Sequence, residues 1–127
     1  MATFGPSFIA SFATNSDLST MAYHIVKTSA PGIVTNCTAA TDVMIGVFTD
    51  GVGTGTATRK AGVSVAISGI AKIKAGAGVT IGSQVTSDGS GRAIHSVGGN
   101  SIIGRALSAG GANEIIEVLL IPGLKHV

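Results

Sequence analysis

Few side chains in this sequence have chemical capacity. Its 127 residues hold six carboxylates, three histidines and one cysteine. His24, His95 and His126 each stand apart from any His, Cys or carboxylate at the spacing that zinc sites use. Isolated histidines of this kind serve as surface or satisfied core residues. Cys37, between Asn36 and Thr38, has no neighbour in sequence that would lower its pKa, and reads as a small buried thiol. As a single cysteine it forms no internal disulfide, which fits a protein made in a reducing cytosol. Asp50 and Asp88 precede Gly51 and Gly89, where Asp has a turn-forming task. Glu114 and Glu117 are an odd number of residues apart, so on a strand they point to opposite faces and do not form an acid–base pair. The run Gly51-x-Gly53-x-Gly55 lacks the following Lys-Ser/Thr and the strand–loop–helix setting of a phosphate cradle. A small hydrolase would have to rest on Asp42, Asp88 and His95. We expect no activity that depends on them, and no catalytic residue, metal ligand or cofactor site.

The elements that position these residues are read from composition and periodicity. Charged residues make up 11% of the chain and hydrophobic ones 45%, against about 25% charged in ordinary soluble domains. At this length one domain is expected, and its high surface-to-volume ratio exposes much of what it carries. A weakly charged apolar surface implies coverage by partners. The basic residues Lys27, Arg59, Lys60, Lys72, Lys74, Arg92, Arg105 and Lys125 are scattered and have no aromatic residues interleaved, so no nucleic-acid face is predicted. The first basic residue is Lys27, which argues against a secretory leader. Apolar runs such as Val118-Leu119-Leu120-Ile121 fall far short of the ~20 residues that span a bilayer.

Glycine is abundant at 19 residues, and Val, Ile, Thr and Ala dominate the segments between turns, a composition of strands and tight turns. Residues 1–17 differ: Phe4, Phe8 and Phe12 recur every four residues, which suits one face of a short helix or an extended arm. Burial logic gives them either a strap across the domain's own core or an arm docked on a neighbouring subunit. Strands are expected over Met21–Thr28, Ile33–Thr35 and Val43–Thr49. Val63, Val65, Ile67, Gly69, Ala71, Ile73 and Ala75 alternate strictly, predicting one long strand that bends at Gly69 with its phase unbroken. Asp88-Gly89-Ser90-Gly91 predicts a hairpin between Gln84–Ser87 and Arg92–Ser96, with Asp-Gly supplying the positive φ. Ser101–Ser108 and Asn113–Ile121 complete the set, the last apolar on both faces and stopped by Pro122-Gly123. With no convincing helix after residue 20, the fold class is all-β, a small sandwich or barrel.

Several of these segments recur in one order: Gly62-Val-Ser-Val-Ala-Ile-Ser-Gly-Ile-Ala-Lys-Ile-Lys-Ala75, then Ile81-Gly-Ser-Gln-Val-Thr-Ser-Asp-Gly-Ser-Gly-Arg-Ala93, Ile102-Ile-Gly-Arg-Ala-Leu-Ser-Ala109, and Ile115-Ile-Glu-Val-Leu-Leu-Ile-Pro-Gly123. With Ile45-Gly46-Val47 ahead of them, they resemble, over residues 43–123, the capsid cement or decoration proteins of tailed phages. The resemblance implies a small β-barrel or β-tulip-like domain, here residues 18–127 behind an N-terminal arm of residues 1–17. It implies a homotrimer bound to the major capsid protein at three-fold-type positions on the outer surface of the virion, made in the bacterial cytoplasm. From the scattered basic residues and the short apolar runs, no nucleic-acid or membrane partner is expected. The aromatic arm lies outside the pattern, and Phe4, Phe8 and Phe12 are its candidate subunit or capsid contacts. Deleting residues 2–16 is expected to leave a folded β domain that assembles less well. The alternative is a host-recognition or carbohydrate-binding β module of a virion. That role needs exposed aromatic residues for sugar stacking, and only Tyr23 and Phe48 lie in the β region.

Overall fold

The β-branched segments between the glycine turns all become strands. The computed structural model describes residues 8–15, 18, 20–51 and 61–125. Among them are nine strands and no helix: β1 (Phe8–Thr14), β2 (Ile25–Ala30), β3 (Ile33–Asn36), β4 (Met44–Gly51), β5 (Ala61–Lys74), β6 (Gln84–Ser87), β7 (Ala93–His95), β8 (Ser101–Ala106) and β9 (Ile115–Lys125). They are hydrogen-bonded in the order β1-β3-β2-β4-β5-β9-β8-β6-β7, with β1 also pairing β5. That extra pairing closes β1, β3, β2, β4 and β5 into a five-stranded ring. The remaining strands extend from β5 as an antiparallel sheet, β5-β9-β8-β6-β7.

β5 joins the two parts. Its first half pairs with β4 and β1, and its second half, Gly69–Lys74, pairs with β9. The long bent strand predicted from alternation is therefore present. Its phase, however, does not carry through Gly69. Val63, Val65 and Ile67 face one core, whereas Ala71, Ile73 and Ala75 face a second core together with Ala66. The residues facing that second core change from even to odd numbers between Ala66 and Ala71. Gly69, at φ 86, lies in this interval in the left-handed region that only glycine enters at no steric cost. The hydrophobic pattern thus runs unbroken in sequence while it serves two cores in space.

The first core fills the ring: Leu18, Val26, Val34, Phe48, Val63 and Val65 are buried, with Phe12, Met21, Ile45 and Ile67 packed against them. The second lies between the ring and the open sheet, where Ile25, Val47 and Met44 meet Ile73, Ile103, Ile116 and Val118. Each Val, Leu or Ile fully withdrawn from water contributes roughly 1.5–3 kcal/mol.

One open alternative is decided and three local expectations need correction. Of the short helix and the extended segment that suited the aromatic spacing, residues 8–14 take the extended one, as a strand that runs along β5 from Phe8↔Ser68 to Thr14↔Ala61. β2 starts at Ile25, not Met21, because residues 21–24 form turns. There Tyr23 takes φ 67, donates its N–H to the Phe48 carbonyl and accepts from the Lys74 N–H. In the β6–β7 hairpin the positive φ belongs to Gly91 (φ 86) rather than Gly89. β9 continues through Pro122-Gly123 to Lys125. Its ladder with β8 shifts register between Gly104↔Leu120 and Ile102↔Leu124, and a proline, which has no N–H to donate, is tolerated at such an irregularity.

Candidate interaction surface

Asp42, Asp88 and Glu114 each stabilise their own loop. Asp42 accepts hydrogen bonds from the N–H groups of Thr38 (2.9 Å) and Ala39 (3.0 Å), and its carboxylate lies 3.1 Å from Lys27 Nζ. Partial burial acts to raise its pKa, but the Thr38 and Ala39 amides and the Lys27 cation prevail and hold it below the ordinary value. Asp88 organises the hairpin turn by accepting from Ser90 N–H, Arg92 N–H and Arg92 Nε. Arg92 in turn donates to Asn113 Oδ1 at 3.0 Å, tying the hairpin to the turn before β9. His95 is exposed on the short strand β7. Asp42 and Asp88 are thus committed to separate turns, and His95 lies apart on β7.

His24 is buried with Nδ1 3.2 Å from the Ala22 carbonyl. Cys37 is buried, as read from sequence; burial first, then the nearby Asp42 carboxylate, push its thiol up to about 12 despite Lys27 and Ser87. A thiol so raised stays protonated and unreactive at neutral pH. Glu114 precedes β9, where it accepts from the Gly111 N–H, while Glu117 sits on the strand itself. Among the described residues no group of three or more His, Cys, Asp or Glu could hold a metal ion. Gly53 and Gly55 of the glycine-rich run, with His126 and Phe4, lie outside the described residues.

The largest departure from an ordinary surface is apolar. β9 alternates between the inter-sheet core (Ile116, Val118, Leu120) and an outer face (Ile115, Glu117, Leu119, Ile121), on which the three apolar residues are 41–44% exposed. Strand pairing extends this face sideways. Ile70 of β5, Leu119 of β9, Arg105 of β8 and Gln84 of β6 form one row across four strands. Lys72 stands opposite Glu117, and Lys74 opposite Ile115. Leu107, whose N–H donates to the Glu117 carbonyl, is 40% exposed beside them. Arg105 donates to the Gly82 carbonyl at 2.7 Å, which brings the 69% exposed Ile81 to the border of the face. Sequence reasoning did not single out these residues. The available signal was the final strand, apolar at odd and even positions alike, in a sheet with only one covered face.

The predicted aromatic contacts part company. Phe12 packs half-buried against the ring core, whereas Phe8 is 70% exposed. Four residues apart on a regular strand they would share a face; the register shift between Phe8 and Ile9 separates them. Phe48 is buried in the ring and Tyr23 is half-buried, so neither presents the open ring face that sugar stacking requires.

No protein-family profile and no curated protein matches the sequence. Among solved structures, the chain is similar to the N base of head fiber gp8.5 of bacteriophage phi29, with a TM-score of 0.70 at 17% identity. The similarity covers 94% of this chain and 100% of the head-fiber base. The two share an all-β fold.

Proposed function

We propose that this chain is a non-enzymatic structural protein of a tailed-phage head, which binds the outer surface of the assembled shell as a homotrimer and stabilises it. The observation that carries this reading is the fold likeness to a head-fiber base over nearly the whole of both chains. The sequence resemblance to capsid cement proteins over residues 43–123 points to the same place on a virion. The chemistry of the surface supports it: Asp42 and Asp88 are committed to turns, while apolar residues stand exposed on a sheet face. Buried apolar area contributes roughly 25 cal/mol per Å² before ordering costs, and several modest contacts per trimer combine through avidity. In this reading Phe12 belongs with β1 to the ring, and the exposed Phe8, together with Phe4, contacts a neighbouring subunit or the shell.

The test is co-sedimentation with heads that lack the protein. Saturable binding in multiples of three, with greater resistance of the heads to heat, is the expected result. Absence of binding to the cognate heads would overturn the proposal.

A further inference from the structure

We infer that the outer face of the β5–β9–β8 sheet is the docking surface of this chain, and that it fits a protein partner whose contacting surface is apolar and carries carboxylates. The inference rests on the structural role proposed above and assigns a face and a partner chemistry to it.

Three observations carry the inference. First, the face is continuous. Ile70, Leu119 and Arg105 lie in one row, adjacent strands in a sheet are ~4.8 Å apart, and Ile115 and Leu107 occupy the neighbouring positions. Scattered single apolar residues are normal on a surface, but a contiguous group rimmed by polar side chains marks an interaction site. Second, the face is regular sheet held by core residues behind it: Ile116 and Val118 alternate with Ile115 and Leu119 and are fully buried. It therefore needs little ordering on binding, which keeps the entropic cost low. Third, its cations outnumber its carboxylate: Lys72, Lys74 and Arg105 lie on this face, with Glu117 opposite Lys72.

The sign of that charge selects the occupant. A second copy docked through the same face would set cations against cations, and like-charge juxtaposition disfavours an association. Nucleic acid would match the sign, but the centre of the face is aliphatic and offers no aromatic ring for base stacking. A protein surface with apolar side chains and interspersed carboxylates satisfies both the Ile and Leu residues of the face and the cations set among them.

The experiment compares Leu119→Glu with Leu119→Lys in binding to heads lacking the protein, with Ile115→Glu as a second variant. Val43→Glu, at an exposed apolar turn residue elsewhere, is the control. Circular dichroism melting establishes that each variant folds. Leu119→Glu and Ile115→Glu are expected to weaken binding at least tenfold, Leu119→Lys by less, and Val43→Glu to bind as the parent does. Equal weakening by Leu119→Glu and Leu119→Lys would overturn the carboxylate-bearing partner. Parental binding by all variants would overturn the face and leave the structural role standing. Failure of the parent itself to bind would instead remove the structural role, and the docking partner with it. Sedimentation equilibrium supplies the remaining outcome: a parent oligomer that Leu119→Glu converts to monomer would show the face covered by a second copy, against the inference.

Discussion

The ring and the open sheet share β5 but treat their apolar residues in opposite ways. In the ring, β1 returns to pair along β5 and meets β3 at Ala13↔Ile33, so the inner face encloses Phe48, Val65 and their neighbours. The β5-β9-β8-β6-β7 sheet covers the ring with one face and leaves the other outward, with Leu119 and Ile115 in view. Closure turns the ring's apolar side chains inward, whereas the open sheet leaves part of its own exposed. Inward substitutions should therefore be read in unfolding experiments and outward ones in binding.

The comparison can be broken or sharpened in order of expected effect. Deleting residues 2–16 should have the largest, because it strips the β1 ladder from β5 and removes Phe12 from the ring core. This revises the expectation that the remainder folds unharmed. Urea unfolding followed by circular dichroism should show a lower midpoint or loss of the cooperative transition, and an unchanged midpoint would mean that the ring does not depend on β1. Phe48→Ala should cost about 3–5 kcal/mol, as for a large aromatic side chain lost from a packed core. A loss below ~1 kcal/mol in the same assay would mean that the ring interior has collapsed around the gap.

Gly104→Ala probes the other region. A Cβ there would meet the Leu119 carbonyl and the Val118 side chain. Overpacking of this kind costs about 1–3 kcal/mol. Amide hydrogen exchange should show β8 and β9 losing protection before the ring strands; equal loss throughout would make the two parts one cooperative unit.

Asp42→Asn should cost no more than about 1 kcal/mol at pH 7, given its partial exposure. Because the folded-state pKa of Asp42 is lowered, its contribution is present above the ordinary carboxylate value and is lost as pH falls through the lowered one. Parent and variant midpoints should accordingly converge in acid, and a gap that persists there would remove the carboxylate from the explanation. Leu119→Ser should change stability least, within about 0.5 kcal/mol, as at ordinary surface positions. A larger loss in urea unfolding would mean that the outer face contributes to folding as well as to docking.

Much of this was legible in the chain. Alternation over Val63–Ala75 gave a strand of the right length, though not the reversal of its facing at Gly69, and Asp88–Gly91 gave the hairpin, because periodicity and turn chemistry are local properties. Cys37 was readable as a buried thiol for the same kind of reason. The placement of the aromatic segment was not: spacing alone suits a helix face or a strand, and the long-range ladder to β5 decided it. Pro122 was misleading because a local rule says stop, while the register shift opposite Ile102–Gly104 accommodates it.

The sequence by itself determined the all-β class and the scarcity of titratable side chains, since these follow from composition and short-range pattern. Only the tertiary structure decided which apolar residues are inside. Gly69 reverses the facing of β5, and the pairing of β1 with β5 closes one part and leaves the other open. Both depend on contacts between residues far apart in the chain, and so does the exposure of Leu119 and Ile115, identical in type to the buried Leu120 and Ile116 beside them.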